Sequence, residues 1–185
     1  MHKQIKVLLT VIMVLFLVIS CAKNNPNSPD NNSSQNGDGS QTSSWKDNPN
    51  FKILASIWQG TDVNWSGEIY EIKDNGDNGV EFFTYGGAYG IVSYSMTVEE
   101  IVWLSDTEGM IYGQYTESWD TSSIGKYYAV AFKNLTASTI SISGAYDMVT
   151  QNWIADSLEQ AKEIFTVDRG SFSEYTDCKP YTAAK

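Results

Sequence analysis

The sequence predicts an all-β fold, a small antiparallel up-and-down β-barrel of about eight strands with one C-terminal helix. Beyond Asn50, apolar and polar residues alternate with the period of two that half-buried strands show, most clearly over residues 139–143. Turn residues interrupt this pattern at short, fairly even intervals, which indicates that successive strands are antiparallel neighbours. Closing such a meander on itself removes the unpaired edges at which other chains could add, so we favour a barrel over a sandwich.

The expected strands follow one another along the chain. Val92, Tyr94 and Met96, for example, would lie on one face of a strand and the residues between them on the other. The strands are expected at residues 58–63, 67–73, 80–85, 90–96, 99–104, 110–116, 126–135 and 139–145. Residues 171–175 are a candidate for a last short strand.

Two connections carry residues typical of tight turns. The segment Asp74 to Gly79 is rich in Asp, Asn and Gly, which tolerate positive φ, and therefore predicts a hairpin turn. Its oxygen-bearing side chains also suggest a calcium loop, but Gly76 and Tyr85 stand where an EF-hand needs an Asp or Asn and a bidentate Glu. Asp106 to Gly109 predicts a second hairpin, with the glycine in the turn.

The single helix of the domain is predicted near the C-terminus. Apolar residues within 158–165 share one helical face, which favours an amphipathic helix packed on the barrel. Ser157 with Gln160, or Asp156 with Glu159, would form a capping box at its start.

Residues 1–20 have the form of an export signal. Two lysines precede an apolar run over residues 7–19, which is shorter than the ~20 residues that a membrane-spanning helix needs. The run ends in Val-Ile-Ser before Cys21, and this motif resembles the lipobox of bacterial lipoproteins. The resemblance implies that Cys21 is lipidated (palmitate is one such acyl group), that the leader is removed before it, and that the lipid holds the protein on a membrane. A plain secretion signal and an uncleaved anchor are the alternatives.

The residues after Cys21 predict where the domain is held. Ala22 occupies the position at which an Asp often favours inner-membrane retention in lipoproteins of diderm bacteria, so the resemblance implies the cell envelope and its outer membrane. Residues 21–50 are nearly all Asn, Ser, Asp, Gly, Gln and Pro, and cannot repay the entropy of folding. We therefore expect three parts: a signal peptide (1–20), a disordered tether (21–50) and a β-barrel domain (51–185).

The charge and the histidine content of the mature chain exclude several classes of partner and active site. Without the leader, ten basic side chains face 22 acidic ones, a formal charge of −12 that argues against a nucleic-acid partner. The single histidine, His2, lies in the leader, so nucleophilic schemes and metal sites that need histidine are excluded. Glu99 and Glu100 are adjacent, but neighbouring strand residues point to opposite faces and would not share one site. We expect that the protein is not an enzyme and holds no metal or cofactor, and a hydrolase that uses a pair of acidic residues is the alternative.

The body of the chain resembles the lipocalin-like β-barrels. The resemblance rests on the eight strands, on Trp58 in the first strand after an apolar segment over residues 51–57, and on one helix followed by a final strand. It implies a barrel that binds a small apolar or amphipathic ligand, with Arg169 as a base packed on Trp58. The candidate pocket or core aromatics are Trp58, Tyr70, Phe82, Tyr94, Trp103, Tyr112, Tyr128 and Phe132.

The sequence also allows a barrel without a ligand. An eight-stranded barrel is just wide enough to be filled by its side chains or to hold one small molecule. Phe82, Phe83 and Tyr85 place aromatic rings on both faces of one strand, so one face must line a cavity or lie outside. The alternative function is therefore a surface or periplasmic protein-interaction module with a solid barrel.

Cys178 is the thiol that remains once Cys21 carries lipid. In an exported protein such a cysteine can pair with another chain or stay free. We expect a buried free thiol and a monomeric protein, and a bridge to another chain is the alternative.

Overall fold

A computed structural model describes residues 44–61 and 67–183 and confirms the all-β barrel. Eight antiparallel strands pair in chain order, and β8 pairs with β1 to close the sheet on itself. The strands are β1 (Ile57–Gly60), β2 (Ile69–Asp74), β3 (Val80–Tyr85), β4 (Val92–Ser105), β5 (Glu108–Ser118), β6 (Tyr127–Lys133), β7 (Ile140–Gly144) and β8 (Thr176–Pro180). Two short α-helices accompany them, α1 (Phe51–Leu54) and α2 (Leu158–Ile164).

Two of the expected strands differ most from those observed, and β1 ends at Gly60 and not at residue 63. The expected strands at 90–96 and 99–104 are one strand, β4, because a bulge between Val98 and Glu100 lets the pairing with β5 continue. The expected strand at 171–175 is wrong, and the closing strand β8 begins at Thr176. Of the residues in β8 only Cys178 is buried, so its sequence lacks the alternating pattern that marks the other strands.

The turn between β2 and β3 is confirmed, whereas the role of Gly109 is not as expected. Gly76 and Gly79 have φ values of 64° and 91°, in the region that glycine adopts without strain. Gly109 instead lies inside β5, where an added Cβ would stand 2.6 Å from the carbonyl oxygen of Val102 and 2.8 Å from the ring of Phe132. This glycine therefore permits close packing rather than a turn.

Helix α2 packs on the outer face of β5 and β6. Ser157 caps it by accepting a hydrogen bond from the backbone N–H of Gln160 at 3.1 Å, as the sequence predicts. The ammonium group of Lys162 lies 2.6 Å from the carboxylate of Glu100 on β4. Tyr112 is buried between the barrel and the residues that follow α2, and its hydroxyl donates to the carbonyl oxygen of Phe165 at 2.8 Å.

Residues 44–54 cover one end of the barrel, which we call the closed end. The ammonium group of Lys46 lies 2.9 Å from Asp74 in the β2–β3 turn, and the side-chain amide of Asn50 donates to the carbonyl oxygen of Asp106 in the β4–β5 turn at 2.7 Å. The ring of Trp45 packs edge-on against Phe51. Residues 44–50, which the sequence places in the tether, thus belong to the packed body, because Trp45 gives them apolar surface to bury.

Candidate ligand-binding site

The barrel interior is lined by alternate residues of each strand. Tyr70 of β2 pairs with Thr84 of β3, and Thr84 pairs with Tyr94 of β4, so these three side chains share the inner face. On β6 the inner face carries Tyr128, Val130 and Phe132. The interior is therefore rich in aromatic side chains that come from several strands.

Towards the closed end this interior is packed. Trp58 is 1% exposed, and its indole N–H donates to the carbonyl oxygen of Leu54 at 3.2 Å. Phe132 meets Trp103 edge-on at a centroid distance of 5.1 Å. Phe82 is fully buried in the same apolar cluster. Four of the aromatic residues that the sequence singles out thus belong to a solid core.

Towards the opposite end the interior opens into a cavity of about 680 Å³, which we call the tyrosine pocket. Three of the predicted aromatic residues line it, namely Tyr70, Tyr94 and Tyr128. Its full lining comprises Glu68, Tyr70, Thr84, Tyr94, Tyr128, Val130, Ile142, Gly144, Ser173, Glu174, Tyr175 and Thr176. One barrel is therefore solid in one half and hollow in the other.

Tyr94 and Tyr128 form the inner wall of this pocket, and Tyr115 packs behind both rings. Tyr94 stands perpendicular to Tyr128 at a centroid distance of 5.8 Å, and Tyr115 stacks on Tyr128 at 5.2 Å. Beyond Tyr94 and Tyr128 lies a second cavity of about 240 Å³, which Trp119 and Trp153 border. Trp119 is 82% exposed, so the outer side of this second cavity is apolar and accessible.

Most of the side chains that line the pocket carry a polar group. The hydroxyl of Tyr70 donates to the carboxylate of Glu68. The hydroxyl oxygen of Thr84 is buried and has no hydrogen-bond partner among the described residues. Burial, followed by the charge and hydrogen bond of Glu68, raises the pKa of Tyr70 well above its usual range, and burial raises the pKa of Tyr94 to about 12. Both hydroxyls are therefore protonated and able to donate at neutral pH.

Glu68 and Thr84 are not among the site residues that the sequence predicts, although the two-residue alternation of strand faces would place both on the inner face. Glu68 precedes the inward-facing Tyr70 by two residues, and Thr84 follows the inward-facing Phe82 by two. Polar residues at such positions are easily read as ordinary strand residues, because the sequence alone does not show which face is interior.

Arg169 lies in the loop after α2, and its guanidinium is 3.9 Å from the carboxylate of Asp147. Trp58 makes its hydrogen bond at the closed end, with Leu54. The packing of Arg169 on Trp58 stays a prediction.

The adjacent acids Glu99 and Glu100 do not point to opposite faces as expected. The bulge in β4 brings both to the outer face, where Glu99 accepts a hydrogen bond from the hydroxyl of Tyr127 at 3.3 Å and Glu100 binds Lys162. Each carboxylate thus has a separate partner. Within residues 44–61 and 67–183, no cluster of three or more potential metal ligands occurs.

A group of aromatic residues lies on the outside of β2 and β3, and we call it the outer aromatic group: Phe83, Tyr85, Tyr89 and Tyr181. The hydroxyls of Tyr85 and Tyr89 donate to the carboxylate of Glu71 at 2.5 and 3.2 Å. Tyr89 stacks on Tyr181 at a centroid distance of 5.4 Å. Burial and the nearby Glu71 raise the pKa of Tyr85.

Cys178 faces the interior and is 2% exposed, as expected for a buried free thiol. Burial, followed by the charges of Glu68 and Asp177, raises its pKa to about 12, so the unreactive thiol form dominates at neutral pH. Cys21 and the lipobox lie outside the described residues. No helix within the described ranges is long and apolar enough to cross a bilayer.

The chain was compared with protein-family models, with curated proteins and with solved structures, and none of them matches it.

Proposed function

We propose that the barrel binds one small amphipathic molecule in the tyrosine pocket, and that the protein is a lipoprotein held on a membrane through Cys21. The observation that carries the binding function is the tyrosine pocket itself, a cavity of about 680 Å³ inside a barrel whose other half is tightly packed. Cavities of roughly 300–1,000 Å³ with aromatic walls and a few polar groups are typical of small-molecule sites.

The two compartments that meet at Tyr94 and Tyr128 support an amphipathic ligand. The tyrosine pocket presents hydroxyl and carboxylate groups, and the second cavity presents the indole rings of Trp119 and Trp153. A molecule with a polar end in the first compartment and an apolar end towards the second would match both surfaces.

The lipoprotein part of the proposal rests on the sequence up to Ala22. Two or three acyl chains on Cys21 would hold the protein stably, because each buried CH₂ contributes ~0.8 kcal/mol. Ala22 favours the outer membrane for the anchored protein. The closed barrel, with a helix packed on its outer face, supports the lipocalin-like resemblance on which ligand binding was first expected.

Native mass spectrometry of gently purified protein tests the binding function. We expect a co-purifying small-molecule mass on the unmodified protein. Gly144→Ala should abolish it, because the added Cβ would collide with the hydroxyl oxygen of Tyr128 and displace that ring into the pocket. Gly67→Ala is the matched control, since its Cβ would meet nothing closer than 3.6 Å. Equal ligand loss in both variants, or no ligand in any sample, would argue against the proposal.

Labelling of producing bacterial cells with radioactive palmitate tests the anchor. Cys21→Ser should remove the label from the protein, whereas Cys178→Ser should retain it because that thiol is buried in the barrel. Label that persists in the Cys21→Ser variant would contradict lipidation at this residue.

The outer aromatic group favours a second candidate function, binding of another protein. Its rings lie on the outside of the barrel, and Tyr89 is 44% exposed. A photo-crosslinking residue at Tyr89 should then give a discrete adduct in cells, and one at the exposed Ser138 should not. If neither variant forms an adduct, ligand binding remains the proposed function.

A further inference from the structure

The charged side chains that line the tyrosine pocket are all acidic. Glu68 and Glu174 contribute carboxylates, and no lysine or arginine is present among the described lining residues. A partly enclosed site with charge of one sign concentrates ligands of the opposite sign. The pocket therefore favours a positively charged ligand over a neutral or an anionic one.

The carboxylate of Glu68 faces the barrel interior as well as solvent. It precedes Tyr70 by two residues, lies half-buried at the pocket wall and accepts the hydrogen bond of the Tyr70 hydroxyl. Its carboxylate also contributes, after burial, to the raised pKa values of Tyr94 and Cys178, which face the interior from two other strands. The Glu68 carboxylate therefore lies near interior side chains of two other strands.

The walls of the pocket suit a cation as well as its apolar body. Tyr94 and Tyr128 stand at 90° to each other and present aromatic surfaces at the inner end of the cavity. A cation within about 6 Å of such ring faces is attracted by their quadrupoles, and the attraction is stronger in a site shielded from water.

Thr84 supplies an independent sign of a ligand. It is 4% exposed and lines the pocket, and its hydroxyl, although close to that of Tyr94, completes no hydrogen bond within the described part of the chain. Buried polar groups are nearly always satisfied, and this oxygen can accept a hydrogen bond from a donor placed in the cavity. A ligand N–H group would provide one.

We infer that the tyrosine pocket binds a small organic cation, a primary or secondary ammonium group carried on an apolar or aromatic body. This inference rests on the proposed binding function and specifies its ligand class. Glu68 would pair with the ammonium charge, Thr84 would accept one of its N–H groups, and the rings of Tyr94 and Tyr128 would pack on the remainder.

Isothermal titration calorimetry with three matched probes tests the inference: phenethylammonium, its neutral isostere propylbenzene and the anion 3-phenylpropanoate. The purified mature protein should bind phenethylammonium at least about tenfold more tightly than the other two, because only this probe satisfies Glu68. High salt should weaken its binding.

Two substitutions, one directly before β2 and one within it, separate a pocket charge from a surface charge. Glu68→Gln keeps the shape of the side chain and should weaken phenethylammonium binding by about fivefold, the effect of losing one partly screened ion pair, without changing propylbenzene binding. Glu71→Gln, which removes the same charge from the outer face, should leave both affinities unchanged. Thr84→Val should weaken the binding of phenethylammonium and leave the binding of propylbenzene unchanged. Far-UV circular dichroism verifies that each variant is folded.

The outcomes distinguish this inference from the proposed function. Equal binding of propylbenzene and phenethylammonium, or equal effects of Glu68→Gln and Glu71→Gln, would overturn the cation preference and leave the binding pocket in place. Tighter binding of a neutral sugar such as cellobiose than of all three probes would also overturn the cation preference and leave the binding pocket in place. If the protein binds none of these compounds, both the cation preference and the proposed binding function are overturned.

Discussion

Aromatic side chains line both halves of the barrel, yet one half is packed and the other encloses a cavity. In the closed half, Trp58, Phe82 and Phe132 fill the interior, while in the open half Tyr70, Tyr94 and Tyr128 surround a cavity of about 680 Å³. The strand number is the same throughout, so barrel width does not decide whether the interior is solid.

What differs is the covering that the chain supplies at each end. Residues 44–54 bring Phe51 and Leu54, at 4% and 0% exposure, against the closed half, and complete a continuous apolar core there. The pocket end is lined by hydroxyl and carboxylate groups instead. A barrel can therefore combine a stabilising core with a binding cavity when a segment outside the sheet packs over one end only.

The largest difference between the halves should appear when an isoleucine is shortened. Ile72 and Ile142 are both 2% exposed, but Ile72 lies in the packed half and Ile142 lines the tyrosine pocket. Ile72→Ala should lower the free energy of unfolding by about 4 kcal/mol and Ile142→Ala by about 2 kcal/mol, because the second site already borders a cavity. Urea unfolding measures both, and equal losses would contradict the distinction.

Adding a methyl group should show how tightly the closed half is packed. Gly109→Ala would push a Cβ against the Val102 carbonyl and the Phe132 ring, and should destabilise the protein by about 1–3 kcal/mol. Gly67→Ala, where the nearest atom is 3.6 Å away, should change stability by less than about 0.5 kcal/mol. Thermal unfolding of the two variants provides the comparison, and a tolerated Gly109→Ala would show that the closed half can relax.

Alkaline pH should weaken the pocket half. Burial raises the pKa of Tyr94 to about 12 from an unfolded value near 10, so the folded state holds its proton more tightly. The stability this contributes is complete below about pH 10 and is lost as the pH rises towards 12. Tyr94→Phe should therefore reduce the fall in unfolding free energy between pH 9 and pH 11.5 relative to the unmodified protein. An identical fall in both proteins would count against burial of the Tyr94 hydroxyl.

The smallest effect is expected at Thr84. Replacing this unpartnered hydroxyl with the isosteric Thr84→Val should stabilise the ligand-free protein by up to about 1 kcal/mol, since a buried unsatisfied group is removed. Thr97→Val on the exposed face of β4 is the control and should change little. Destabilisation of the Thr84 variant in urea would mean that the hydroxyl has a partner.

Much of the fold was accessible from local patterns. The alternation around Ile140 and Ile142, the glycines at 76 and 79, and the Ser157 cap were each predicted and are confirmed, because strand faces, turns and caps depend on residues close in sequence. The merging of two expected strands into β4 was missed, since a bulge is set by the register of the neighbouring strand.

The sequence by itself determined an antiparallel all-β domain rich in interior aromatic residues. Which of those residues fill the core and which line a cavity was decided only by the tertiary structure, because it depends on how residues 44–54 pack over one end and on the polar β8, whose pairing with β1 closes the sheet. The placement of Tyr70, Thr84 and Tyr94 side by side has the same origin, since pairing of β2, β3 and β4 brings these side chains together on the inner face. The period of two shows which residues share a face, but only the closed sheet shows that this face lines a cavity.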